Sequence, residues 1–316
     1  MKGDVTVVIA GRNRLNFLKQ TISSILGGSV IPDEIIYVDT GSTDDVISEI
    51  KQGFPSLTVV QISGGNPQKA RNIGGRMANT TYILFSDDDI AFSRECISDA
   101  IRYMSSNREI GMVGWRLSLA NGMPSPFSYT VMVPGFIGIE GKKKLWHGLV
   151  SVFTVRNAYF IRKELWEKIR GWDEDLFIQY DENDLSIRIY LSGYLVCCIG
   201  DSSIVDLNSV KRDKFVIIPE LGIDRSTLGV RNSVLVAIKN LSFPIMLISL
   251  PAIFILTLGR GIVQGGGLRM LKGYSLALRD LSKPMKSRSY CSKKSFRFQF
   301  KLMFSNLTKG AQLDEN

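Results

Sequence analysis

The sequence predicts an open α/β layer with a mainly parallel sheet, followed by a helical extension that is first apolar and then basic. Three observations carry this. Over the first 90 residues, short β-branched runs alternate with stretches of helical periodicity, and parallel strands need such helical crossovers. Twenty residues without charge, Asn240 to Gly259, lie between Lys239 and Arg260. Beyond them, Arg260 to Asn316 holds 12 Lys/Arg against 3 Asp/Glu, a net +9 that accounts for the whole charge of the 316-residue chain.

Val5 to Ala10 is the first strand. Leu15, Leu18, Ile22, Ile25 and Leu26 then recur at helical spacing until Gly27-Gly28 stops them. Glu34 to Val38 is the second strand, and Asp44 caps a helix containing Val46, Ile47 and Ile50 that Gly53 and Pro55 end. Leu57 to Gln61 is a third strand, Ala70 to Ala78 a helix and Tyr82 to Phe85 a fourth strand. Ile97, Ile101 and Met104 mark another helix. Gly111 to Gly141, rich in Gly, Pro and Ser, reads as loops over the sheet. From Leu149 the pattern resumes, with Val150 to Val155 strand-like and helices over Lys163 to Ile169 and Asp184 to Leu191. Pro244 and Pro251 make 240–259 a poor single membrane span, which leaves an interfacial or re-entrant helix pair, a true span, or a helix buried on the preceding domain. The domain division expected is 1–225, in halves 1–110 and 111–225, followed by 226–316.

Composition narrows the function classes. With 45% hydrophobic and 22% charged residues the chain is not largely disordered. Four Cys, with Cys197-Cys198 adjacent and no CxxC, exclude a disulfide scaffold and point to a reducing compartment. Met1-Lys2-Gly3-Asp4 leads directly into a strand too short for a signal-peptide core, so a cytoplasmic protein is expected. A nucleic-acid binder would carry its basic charge on the folded domain. Here the charge follows an apolar stretch, which points to an anionic membrane surface, although a solvated basic tail explains the charge alone equally well.

In open parallel sheets, ligands bind beyond the carboxyl ends of the strands. Those ends present Arg12 and Arg14 after the first strand, Asp39 after the second, and Asp87-Asp88-Asp89 after the fourth. Three adjacent carboxylates repel one another unless a cation or donors offset them, and oxygen ligands of this kind suit Mg²⁺ or Mn²⁺ carrying a diphosphate. A solvated acidic turn is the plain alternative. Lys69, Arg71 and Arg76 add positive charge nearby in sequence. A second acidic run, Asp181-Glu182-Asn183-Asp184, follows Gly171-Trp172-Asp173-Glu174. Asp184 and Arg188 are spaced for a local helical ion pair, and Asp181 or Glu182 could cap the helix.

Taken together, these segments resemble the inverting family 2 glycosyltransferases with a GT-A fold over residues 4–210. The resemblance rests on Val5 to Ala10 with Arg12-Asn13-Arg14, on Ile35 to Asp39 with Gly41 to Asp44, and on Ala70 to Gly74. It continues through Ile83 to Asp89, Gly171 to Glu174 and Asp181 to Leu185. It implies a Rossmann-like sheet with helices on both faces, a nucleotide-sugar donor and a glycan or lipid-linked hydroxyl acceptor. It places Asp39 near the nucleotide base, Arg12 and Arg71 on the donor, Asp87 and Asp88 at the ribose, and Asp89 on Mg²⁺ or Mn²⁺. Glu182 stands where relatives usually have the Asp that acts as general base, so Asp181 stays open as an alternative, while Trp172 and Asp184 fall on the acceptor side. Where many relatives carry a metal-binding His, this chain has Asp206, a metal ligand or a plain loop residue. His147, the only histidine, is expected to be half-buried. Two other readings remain: a degenerate GT-A scaffold without activity, and a sugar-nucleotide pyrophosphorylase. The latter lacks its Gly-rich phosphate loop at Ala10 to Arg14.

Overall fold

The computed structural model describes residues 4–125, 129–133, 137–140, 146–209, 217–263 and 266–287. The basic tail from residue 288 onward lies outside the described residues. Along the first part of the chain, β1 (Val5–Gly11), α1 (Leu15–Leu26), β2 (Glu34–Asp39), α2 (Val46–Gly53), β3 (Thr58–Gln61), α3 (Pro67–Met77) and β4 (Tyr82–Asp87) alternate. The four strands are parallel in the order β3-β2-β1-β4. The side chains of β1 alternate between two cores, as the period of a strand requires. Val5, Val7 and Ile9 pack with Leu18, Ile22 and Ile25 of α1 and with Val46 and Ile50 of α2. Ala10 packs instead with Ala70 of α3 on the other face. Helices therefore cover both faces.

The next elements are β5 (Ile90–Phe92), α4 (Cys96–Ser106), β6 (Ile110–Leu119), β7 (Tyr129–Val133), β8 (Ile137–Glu140), β9 (Leu149–Ser151), β10 (Thr154–Val155) and β11 (Ala158–Arg162). They lead to α5 (Lys163–Lys168), α6 (Asp181–Leu191) and β12 (Leu195–Asp206). The sheet continues from β4 through β11, β6 and β12 to β5, with β11 and β5 antiparallel to their neighbours and β6 parallel to β12. The expectation of loops over Gly111 to Gly141 is corrected here: β6 is a ten-residue strand inside the sheet. Its glycines serve close packing rather than turns. A Cβ on Gly111 would stand 2.5 Å from Leu165, and one on Gly114 the same distance from Val155. β7 and β8 form a small separate sheet with β10, while residues 126–128, 134–136 and 141–145, also within or beside that stretch, lie outside the described residues.

A short hairpin of β13 (Ile217–Ile218) and β14 (Ile223–Asp224) precedes α7 (Arg225–Asn240), α8 (Phe243–Val263), α9 (Gly267–Arg279) and α10 (Ser282–Ser287). Asp224 caps α7 by accepting from the Thr227 N–H at 2.9 Å, so the expected 225/226 division falls on a helix start. The packing runs on across it. Val234 to Ile238 share one core cluster with Leu185, Ile187 and Ile189 of α6, and Ile245, Ile253 and Ala277 join the same cluster.

Candidate functional site

The β1 and β2 crossovers turn one way along the sheet and the β3 crossover turns the other, so a crevice opens beyond the carboxyl ends of β1 and β4. The loops after β1 and β2 are clamped across it. Asn13 donates its N–H to the Ser42 hydroxyl at 2.9 Å, and its side-chain oxygen accepts from the Thr43 N–H at 2.7 Å. Arg12 donates to the Gly41 carbonyl at 3.0 Å and pairs with Glu220. Asp39 is fully buried, where it accepts from the N–H groups of Gly41 (3.1 Å) and Ser42 (3.0 Å), the Ser42 hydroxyl, and the Tyr37 hydroxyl.

The Asp87-Asp88-Asp89 run does not point one way. Asp87 turns to Arg71, whereas Arg14 bridges the other two, 3.0 Å from Asp88 and 2.6 Å from Asp89. Asp88 also accepts from the Arg12 N–H at 3.3 Å. This approach requires glycine at position 11, because a Cβ there would stand 2.4 Å from the Asp88 carboxylate. Burial, reinforced by Asp89 and Asp87 against the pull of Arg14, pushes the Asp88 carboxyl up to about 7.

Asp206 ends β12 opposite Ile90, and the adjacent Leu207 N–H donates to the Asp89 carbonyl at 2.8 Å. The predicted metal pair thus lies side by side, Asp206 at the end of β12 and Asp89 in the turn that leads into β5. Among the described residues no three His, Cys, Asp or Glu side chains gather tightly enough to hold a cation. The all-oxygen donor set has the chemistry a hard divalent ion takes, with Arg14 supplying the positive charge on Asp88 and Asp89 in this arrangement.

Arg71 joins the two acidic motifs. It sits on α3, whose start is capped by Asn66, a residue accepting from the N–H groups of Gln68 (3.0 Å) and Lys69 (3.1 Å). Buried, it pairs with Asp87, donates to Gln68 at 2.9 Å and reaches Asp181 at 3.5 Å, while its guanidinium lies 4.8 Å from the Trp172 ring centroid. Gln68 in turn donates to Asp181 at 2.7 Å and to the Phe177 carbonyl at 2.9 Å. Burial, then the neighbouring Glu182, push the Asp181 carboxyl well above the usual range despite Arg71. Glu182 is only partly buried. Neither acid caps the helix: the cap residue of α6 is Tyr180, with no side-chain bond, so the capping alternative is not what is seen. Lys69 and Arg76 are exposed on the outer side of α3.

Two predicted acceptor-side residues sit elsewhere than at an open surface. Trp172 is buried beneath Arg71, edge-on to Phe85 and Tyr159. Asp184 is fully buried, 2.6 Å from Arg188, 2.9 Å from Lys239 and 2.7 Å from the Asn240 amide. Burial alone would raise the Asp184 carboxyl, but Arg188 and Lys239 outweigh it and hold it at about 2. This corrects the view of Lys239 as a flank of the apolar stretch: it is a buried partner of Asp184 and Asp173. His147 is also corrected, being exposed rather than half-buried, 3.7 Å from Asp201.

The loop leading into α6 holds three non-glycine residues at positive φ: Phe177 at 61°, Gln179 at 69° and Tyr180 at 64°. Such conformations are costly and persist only when the surroundings impose them. Here Asn232 of α7, fully buried, donates its amide to the carbonyls of Leu176 (2.7 Å), Ile178 (2.9 Å) and Gln179 (2.8 Å). Arg231 donates to the Asp175 carbonyl at 3.1 Å and pairs with Asp280 at 2.6 Å. Sequence reasoning missed Gln68, Arg231 and Asn232, whose only signal was polarity within helices later found to be buried.

A doubly wound sheet with one acidic motif at its switch point and a second at the start of a buried helix defines the GT-A glycosyltransferase class. The profile of glycosyl transferase family 2 matches residues 6–167, and the chain belongs to that family. An uncharacterized glycosyltransferase of Rickettsia felis is 32% identical over 108 residues, 34% of this chain and 18% of that protein. The O-antigen biosynthesis protein RfbC of Myxococcus xanthus is 21% identical over 224 residues, 66% of this chain and again 18% of the relative. The chain thus matches about a fifth of the length of these relatives. The crystal structure of S. aureus TarS 1-349 in complex with UDP-GlcNAc shares the fold, with a TM-score of 0.59 and 16% identity over 95% of this chain and 90% of that one.

Proposed function

We propose that the protein transfers a sugar from a nucleotide-diphosphate donor to a hydroxyl of a glycan or lipid-linked acceptor, with inversion at the anomeric carbon. The observation that carries this is Arg71, which ties Asp87 at the strand-end crevice to Asp181 at the start of α6. On this reading Arg71 sets the donor end and the base end of the site side by side. A fold neighbour crystallised in complex with UDP-GlcNAc and a relative that is an O-antigen biosynthesis protein support a nucleotide sugar as donor and a glycan as product.

In this reading the loops of Arg12, Asp39, Asp87 and Asp88 bind the nucleotide, and Arg71 adds positive charge beside it. Asp89 and Asp206 would hold Mg²⁺ or Mn²⁺, which when bound offsets charge on the departing diphosphate. Glu182 takes the proton of the acceptor hydroxyl, whose oxygen attacks the anomeric carbon from the face opposite the leaving group. Burial and the neighbouring Glu182 both disfavour the charged form of Asp181, so the partly exposed Glu182 is the better placed base. The protein works on the cytoplasmic side of an anionic membrane, where nucleotide sugars are supplied.

Glu182→Gln preserves size but cannot take a proton. Turnover of a nucleotide-sugar panel, read as nucleoside diphosphate release with acceptor, should fall roughly a hundredfold or more with donor affinity nearly unchanged. If Asp181→Asn produces this loss and Glu182→Gln does not, the base is Asp181. A wild-type protein that binds donor but never releases diphosphate, with or without Mn²⁺, would be a scaffold rather than an enzyme.

A further inference from the structure

α8 has its polarity inside out. Ile245, Ser249 and Ile253, one stripe at helical spacing, are buried against the rest of the protein. The outward positions are Phe243, Leu247, Ile248, Phe254, Ile255 and Ile262, with Ile255 68% exposed and Ile262 69%. A surface helix of a protein in water carries polar residues there. From Asn240 to Gly259 there is no charged residue on any face. By length and composition α8 could cross a bilayer.

The packing argues against crossing. α9 turns back along α8 as an antiparallel partner: Met270 packs where a Cβ on Gly261 would meet it, Tyr274 bonds to Thr257, and the Phe254 ring lies tilted against Tyr274. α9 is then fixed to α7, since a Cβ on Gly273 would stand 2.7 Å from the Thr227 carbonyl and from Val230. To traverse the bilayer, α8 would have to pull Ile245 and Ile253 out of the cluster they share with α6 and α7. α9 is also unsuited to the hydrocarbon core, because Arg269, Lys272 and Arg279 stand exposed along it among the exposed Leu268, Leu271 and Leu278. That mixture of apolar and basic side chains is the pattern of a helix lying at a lipid interface, apolar groups inward and cationic heads reaching the phosphates.

We propose that α8 and α9 form a monotopic hairpin that lies in one leaflet of an anionic bilayer, buried by the outward face of α8 and held by basic residues of α9 and beyond. This rests on the membrane placement stated under the proposed function. The occupant is lipid rather than a second copy of the chain for two reasons. Among the described side chains the outward face of α8 offers only apolar groups, where a protein partner is met by a polar rim. The segment that follows carries the entire net charge of the chain, +9, which complements anionic lipid and would repel an identical copy. At about 1.5 Å per residue the helix lays roughly 30 Å of apolar surface along the leaflet.

The test uses the full-length protein and flotation with phosphatidylcholine vesicles containing or lacking phosphatidylglycerol. The wild type should float with anionic vesicles, only in part in high salt, and Ile248→Glu/Ile255→Glu should lose roughly tenfold or more of that affinity. A thermal melt and donor hydrolysis matching the wild type would show that the double variant is folded and working. Depth is read separately with Ile255→Trp and brominated lipids: quenching by bromines near the headgroup is expected. Quenching only by bromines at the bilayer centre overturns the monotopic geometry while leaving membrane attachment intact. A wild type that ignores vesicles and sediments as a dimer without detergent overturns the lipid assignment, whatever the hydrolysis assay says about the enzyme.

Discussion

The sharpest consequence of the packing concerns Asn232, which touches no ligand-facing group yet holds the backbone that delivers the acidic start of α6. Asn232→Leu keeps the volume and removes the donor. Its two amide hydrogens serve three carbonyls, that of Leu176 in a fully buried contact and those of Ile178 and Gln179 in partly buried ones. Leaving a buried acceptor unpaired costs about 1–3 kcal/mol, and with the other two carbonyls only partly buried the expected destabilisation is about 1–3 kcal/mol. At roughly 2 °C per kcal/mol for a chain of this size, the melting temperature should fall by about 2–6 °C. The loop holds Phe177, Gln179 and Tyr180 at positive φ, so freed of Asn232 it should relax toward ordinary conformations and shift Asp181 and Glu182. The kinetic signature is a lowered kcat with donor KM near the wild-type value, measured well below the melting temperature. Asn232→Gln, which keeps a donor on a longer arm, should recover part of both losses. A variant Asn232→Leu that melts within a degree of the wild type and turns over normally would refute the idea that α7 tensions this loop.

Further outcomes follow from the buried charges. Asp184→Ala should cost about 3–5 kcal/mol, because it leaves Arg188 and Lys239 buried around an empty position, and chemical denaturation measures it directly. In the intact protein the same carboxyl, held down at about 2, contributes stability that is complete above its ordinary value of 3.8 and fades as pH falls toward 2. Asp88 acts in the opposite sense. Raised to about 7 from 3.8, it keeps a proton that the unfolded chain has already released, so its contribution is full below about pH 4 and is lost as pH rises through 7. Asp88→Asn should flatten the fall in unfolding free energy between those limits; parallel wild-type and variant curves would show that Asp88 titrates normally.

The alternation of strand and helix was legible over the first 90 residues because each of those strands is a short β-branched run bounded by turn residues, with its pairing partner one crossover away. The acidic motifs were legible for a related reason: the chain itself marks the ends of strands, and clustered carboxylates stand out there. What the periodicity concealed was β6, since glycine reads as a turn in sequence and only the neighbouring side chains of Leu165 and Val155 reveal that a Cβ has no room. Lys239 looked like the edge of an apolar segment, and its burial against Asp173 and Asp184 depends on two residues more than fifty positions away. The same holds for Asn232 and Gln68, ordinary polar residues until distant backbone carbonyls and a carboxylate come within hydrogen-bonding reach. By itself, then, the sequence determined the order of elements over the first 90 residues, the acidic residues at the strand ends and the family. Tertiary structure alone decided which carboxylate is locked and which stays partly open, and which face of α8 is left without cover, because burial and pairing are properties of neighbours that the chain brings together only on folding.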